Sequence, residues 1–110
     1  MSILQSLRAR ITAAHVGLIR CKTCDETLLS LPASEYIAAT IDPNKTHLVT
    51  YPALSHLLDH PGHEVVSILM GMEKATGAEL LKAVGRAAEK RGVPIEVALK
   101  DTVRKLKQKY

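Results

Sequence analysis

Apolar residues recur at intervals of three and four over Ile3, Leu4, Leu7, Ile11 and Ala14, so the first segment of the chain predicts an amphipathic helix. From His15 the pattern changes. Val16, Leu18 and Ile19 lead into Cys21, and Thr27, Leu28 and Leu29 follow Cys24, which predicts a short hairpin with Cys21-Lys22-Thr23-Cys24 at its tip. Leu31 to Glu35 reads as a helix start with Tyr36 to Thr40 as its body, and Asp42-Pro43-Asn44-Lys45 is a turn by composition. His47-Leu48-Val49 predicts extended chain. Tyr51-Pro52 then opens a helix with the proline in its first turn, and Pro61-Gly62 stops it. The run from Glu64 to Met70 is short and apolar, and fits either a buried strand or a buried helix.

The last third carries clearer signals. Thr76-Gly77-Ala78-Glu79 has capping-box spacing, in which hydroxyl and carboxylate each satisfy a backbone donor of the other residue. The helix it opens places Leu80, Leu81, Val84, Ala87 and Ala88 on one stripe. Gly92 is a stop signal and Pro94 a start signal, after which Ile95, Ala98, Leu99, Val103 and Leu106 form the apolar stripe of a final helix. Gly85, inside the first of these helices, predicts a close backbone approach, because glycine there costs about 1 kcal/mol relative to alanine. The expected fold is α+β and mainly helical: one domain over residues 1–110, with a Cys/His-containing half (1–74) and a basic antiparallel helical hairpin (75–110).

Composition narrows the functional classes. The chain is 46% apolar and 24% charged, as expected of a folded domain. Its only aromatics are three Tyr, too few for a platform that stacks nucleobases or for an aromatic-lined cofactor pocket. No apolar stretch approaches the roughly 20 residues that cross a bilayer. Arg8 and Arg10 interrupt the N-terminal apolar positions, so no secretory signal is predicted and the chain is expected to be cytoplasmic. Charge is unevenly placed. Residues 1–74 have six Lys/Arg and seven Asp/Glu, whereas residues 75–110 have nine and four, so the net +4 lies in the C-terminal third. Such asymmetry points toward a polyanionic partner.

The candidate chemistry begins with the cysteines. Cys21 and Cys24 have the spacing at which a turn aims two thiolates at one Zn²⁺. His60 and His63, across Pro61-Gly62, are the expected partner ligands; His56, four residues before His60 on a helix face, is the alternative. Arg20-Cys21-Lys22-Thr23-Cys24-Asp25 with His60-Pro61-Gly62-His63-Glu64-Val65-Val66 resembles fragments of a B-box-type zinc finger, without the further ligands that family places before and between these pairs. That resemblance implies a structural Zn²⁺. A redox pair is a second reading, if a strand delivers Cys21 to a helix start. Buried cysteines acting as small apolar residues are a third. His15 and His47 fall outside both pairings and read as surface or packing residues.

The second candidate is a basic surface. Ala88-x-x-x-Gly92-Val93-Pro94 resembles the turn of DNA-binding helix–turn–helix units, with Val93 and Ala98 at positions where that family has apolar residues. Arg91 and Asp101 occupy two positions where it also has apolar residues, so a plain helical hairpin is the competing reading. Glu96–Lys100 and Asp101–Lys105 are spaced to pair along the helix. Arg86, Lys90, Arg91, Lys100, Arg104, Lys107 and Lys109 form the candidate nucleic-acid-binding set. No phosphate loop, nucleophile elbow or metalloprotease motif occurs. Ser55 and His56, adjacent on a helix beside Asp59, point too far apart for a triad, so no enzyme is expected. The sequence therefore implies a small regulatory protein that binds nucleic acid around a structural zinc. The alternative is an adaptor or inhibitor that docks on a larger protein complex.

Overall fold

The computed structural model describes residues 16–110, so the helix expected over Ile3 to Ala14 lies outside the described residues. In chain order the elements are β1 (Val16–Cys21), β2 (Glu26–Pro32), α1 (Ala33–Ile41), α2 (His47–Asp59), β3 (Val65–Leu69), β4 (Met72–Lys74), α3 (Thr76–Arg91) and α4 (Ile95–Lys109). The strands form one antiparallel sheet in the order β2-β1-β3-β4. The fold class is α+β. No helix among the described residues is long and apolar enough to cross a membrane.

β1 is the organising strand. Its side chains alternate between sheet faces, and Ile19 and Cys21, two residues apart, are both wholly buried. Ile19 pairs with Ser67 and Cys21 with Val65 of β3. On the β2 side the register slips between Ile19 and Arg20, which pair with Leu29 and Thr27 and leave Leu28 as a bulge. Leu28 and Leu29 both pack on the core as a result. The Tyr36 ring of α1 lies against Gly17, where any Cβ would occupy the ring's own space. Ala39, Val49, Ala53 and Leu57 complete this cluster, so α1 and α2 lie over the sheet.

A second apolar cluster joins three helices. Leu54 of α2 packs with Val84 and Ala88 of α3 and with Ala98, Leu99 and Val103 of α4. The two C-terminal helices therefore share their core with the preceding half. The turn between them is a full Schellman motif: Gly92 has φ 67°, its N–H donates to Glu89 O (3.1 Å), and Val93 N–H donates to Ala88 O (3.1 Å).

Several expectations need correction. Residues 47–49 are helical, because α2 starts at His47 and carries Pro52 in its interior. Asp42 Oδ1 accepts from the Asn44 amide, and Lys45 and Thr46 carbonyls accept from Leu48, Val49 and Thr50, so the turn runs directly into the helix. Thr76 makes no capping box: it lies inside α3 and its hydroxyl bonds Ser67 Oγ instead. At Gly85 the nearest atom to an added Cβ is Ile95 Cδ1 at 3.6 Å, ordinary contact. The close approach is at Gly77, where a Cβ would lie 2.8 Å from Val65 O, so α3 meets β3 there. Ile95, at the first turn of α4, is 41% exposed rather than part of the buried stripe, and Ala87 is exposed too. Of the 64–70 run, Val65–Leu69 form strand β3.

Candidate metal centre

Three separate pieces of chain supply one cluster. The β1–β2 turn brings Cys21 and Cys24, the last turn of α2 brings His56, and the loop into β3 brings His63. Their potential ligand atoms all lie within 4.8 Å of one another. Cys24 Sγ is 3.2 Å from His63 Nδ1 and 3.6 Å from His56 Nε2; Cys21 Sγ is 3.5 Å from His63 Nδ1; the two ring nitrogens are 3.4 Å apart. Two thiols and two imidazoles in this arrangement are compatible with a metal site.

The backbone holds the pieces in place. Lys22 N–H donates to Glu64 O (2.8 Å) and Glu64 N–H donates to Thr23 Oγ1 (3.0 Å), which ties the cysteine turn to the chain beside His63. Inside the turn, Cys24 N–H donates to Cys21 Sγ (3.4 Å). Asp25 takes the left-handed conformation (φ 57°) and its carboxylate accepts from Arg20, closing the hairpin. Lys22 reaches Glu73 of β4 at 3.5 Å. These contacts position the cysteine turn beside His63.

The second histidine of the group is His56, where the sequence favoured His60. The reason is where α2 stops. His60 caps the helix with φ −131° and ψ 71°, so it has left the helical path that His56 follows. Its ring stacks near-parallel on His63 at 4.8 Å and tilts against His56 at 4.7 Å, at the exposed side of the cluster. The atoms that group with the cysteines are thus those of His56 and His63, with His60 stacked beside them. His47 lies at the other end of α2, its ring 6.2 Å from Tyr110.

Proton affinities in the cluster follow from crowding. Burial, then the neighbouring Cys21 thiol, pushes the Cys24 thiol up. Burial, then the positive charge of His60 and His63, pushes His56 down. Both shifts favour the neutral forms of Cys24 and His56, and a bound cation would favour the Cys24 thiolate instead. The redox reading finds no support here, because β1 delivers Cys21 to a turn that leads into strand β2 and not to a helix start.

The basic set is wholly exposed. Arg86, Lys90 and Arg91 stand on α3, and Lys100, Arg104, Lys107 and Lys109 on α4. Two members are engaged. Asp101 accepts from Arg91 across the turn (2.9 Å) and from Arg104 (3.3 Å), and these bonds replace the expected Asp101–Lys105 pair. The Arg91 guanidinium, bonded to Asp101, holds that carboxyl below its usual range.

Sequence reading missed a hydroxyl-lined concavity of about 510 Å³ between α1, α2, the β3–β4 edge and the start of α3. Its signal was the spacing of Thr46 and Thr50, which puts both on one helix face. Comparison with protein-family models, with curated proteins and with solved structures finds no match.

Proposed function

We propose that the chain is a small, non-enzymatic, cytoplasmic regulatory protein that binds one structural Zn²⁺ and contacts nucleic acid through α3 and α4. The zinc reading rests on distances. With Zn–S of about 2.3 Å and Zn–N of about 2.0–2.1 Å, a tetrahedral site has S···N separations near 3.6 Å and N···N near 3.3 Å. Three of the cluster's S···N separations, at 3.2–3.6 Å, and its N···N separation of 3.4 Å lie near these values, and all four ligand atoms lie within 4.8 Å of one another. Two Cys and two His fill all four positions, and a closed set supports a structural role over a catalytic one. Zn²⁺ would cross-link the hairpin tip to α2 and to the start of β3. Elemental analysis of chelator-free protein should find one zinc per chain, and finding none ends this reading.

The nucleic-acid reading is carried by the surplus of cations on the C-terminal helices. Lys100 and Lys107 are exposed on α4, and neither takes an ion pair among the described residues. Affinity for duplex DNA or RNA should fall steeply between roughly 50 and 200 mM salt as counterions are released. Replacing Lys100 and Lys107 with Ala should weaken binding and lower the salt slope by about one per lost phosphate contact. No binding at low salt rejects this reading. The adaptor reading would then lead, favoured by Met70, Met72 and Ile41, large apolar side chains that are 58%, 69% and 75% exposed.

A further inference from the structure

The concavity between α1, α2 and the β3–β4 edge lies on the sheet face that carries Ser67 and Leu69, and takes no part in the metal cluster. Its volume of about 510 Å³ falls within the roughly 300–1,000 Å³ of small-molecule sites. Val49, Leu69, Met72 and Leu80 give it an apolar wall. Cross-strand register builds the floor: Ser67 pairs with Lys74, and Leu69 with Met72, so these side chains share one face. Glu73, on the opposite face of β4, goes to Lys22 instead.

The polar groups have a definite hydrogen-bonding character. Thr40 Oγ1 donates to Ile37 O (2.7 Å) and Thr50 Oγ1 donates to Thr46 O (2.9 Å). Their hydrogens are spent, so they offer a ligand lone pairs only. Ser67 and Thr76 hydroxyls bond each other, which leaves one of their two hydrogens free to donate beside Lys74, the cross-strand partner of Ser67. At the exposed mouth stand one cation, Lys74, and one anion, Glu79, and neither forms an ion pair among the described residues. The Thr40 and Thr50 lone pairs and the Glu79 carboxylate suit an ammonium group, Lys74 and the free hydroxyl hydrogen suit a carboxylate, and the aliphatic lining suits an apolar body.

We propose that this concavity binds a small zwitterion with an apolar side chain, an aliphatic amino acid or short aliphatic peptide with both termini free, Glu79 and Thr50 receiving the ammonium and Lys74 the carboxylate. The site is separate from zinc and nucleic acid, so its failure leaves those readings untouched, and theirs leaves it untouched.

The test is an amide-resolved NMR titration of the full chain with leucine, methionine and leucyl-leucine, each compared with its N-acetyl and C-amide forms. The expected result is saturable shifts at Thr50, Ser67, Lys74 and Glu79 with the free zwitterions, and about tenfold weaker binding when either end is capped. Glu79→Gln should abolish the penalty for N-acetylation, and Lys74→Gln the penalty for amidation. Both positions are exposed, so the variants should fold. Absence of saturable shifts at millimolar ligand, shifts confined to other parts of the chain, or equal binding of capped and free forms overturns the proposal.

Discussion

The cysteine end of the molecule and its C-terminal helices are built on opposite principles. At the cysteine end, four side chains from three distant pieces of chain converge on one point, and small residues such as Ala39 and Ala53 fill the core behind them. At the C-terminal end, cohesion is diffuse: Val84, Ala88, Ala98, Leu99 and Val103 interdigitate with Leu54, and a Schellman turn fixes the corner. With the proposed Zn²⁺ bound, the first arrangement would be directional and all-or-none, since losing one ligand would open the tetrahedron. The second is additive, with each methylene contributing its share of buried area. The chain would then reach stability by two routes that fail under different insults.

Chelation should separate the two most sharply. Structural zinc contributes about 10 kcal/mol or more in zinc-finger peptides, so metal removal should lower the thermal midpoint by at least about 10 °C. Cys24→Ser should reproduce this. Amide exchange should accelerate first at Lys22 and Glu64, whose mutual contacts hold the ligand turn, while α3 and α4 stay protected. An unchanged midpoint in chelator would remove the contrast altogether.

Leu99→Ala breaks it from the other side. This buried side chain sits among three helices, and its truncation should cost about 2–5 kcal/mol in denaturant unfolding, with zinc stoichiometry unaltered. A smaller effect comes from two glycines of one helix. Gly77→Ala should destabilise by about 1–3 kcal/mol because Val65 O stands 2.8 Å from the new Cβ. Gly85→Ala should stabilise by up to about 1 kcal/mol, since the nearest atom is the end of a flexible side chain at 3.6 Å. Matched chemical-denaturation curves with opposite displacements would establish that only the β3 end of α3 is tightly apposed.

The smallest effect concerns Asp101. Its carboxyl is held below the ordinary range by Arg91, so it stabilises the fold above the unfolded-state pKa and ceases to do so as pH falls through the folded one. The stability gap between the wild type and Asp101→Asn should therefore be open at neutral pH and close on acidification through the carboxylate range. A gap that is constant with pH would mean that the two arginine contacts contribute no net stability.

What the sequence made legible was local. The Cys-x-x-Cys spacing between two β-prone runs located the hairpin tip, and Gly92 before Val93-Pro94 located the αα corner, because both depend on a few consecutive residues. Errors arose where a distant partner decided. Thr76 has a capping partner three residues on, yet Ser67 on β3 takes its hydroxyl. Asp101 has Lys105 one turn away, yet Arg91 on another helix takes one of its oxygens. The choice between His56 and His60 turned on where α2 ends, and Pro61-Gly62 left that open by a residue or two. Of the hydroxyl-lined concavity only the Thr46–Thr50 spacing was legible, since its other walls come from α1, β3, β4 and α3.

Helix α2 carries His56 toward the cysteines and, two residues earlier, Leu54 into the three-helix core. One helix therefore has a footing in both halves. Under the proposed function, any free energy that an occupied metal cluster transmits along α2 to a ligand on α3 and α4 must be returned in equal measure, as a change in metal affinity when that ligand binds. The chain would then hold zinc more or less tightly according to whether its partner is present.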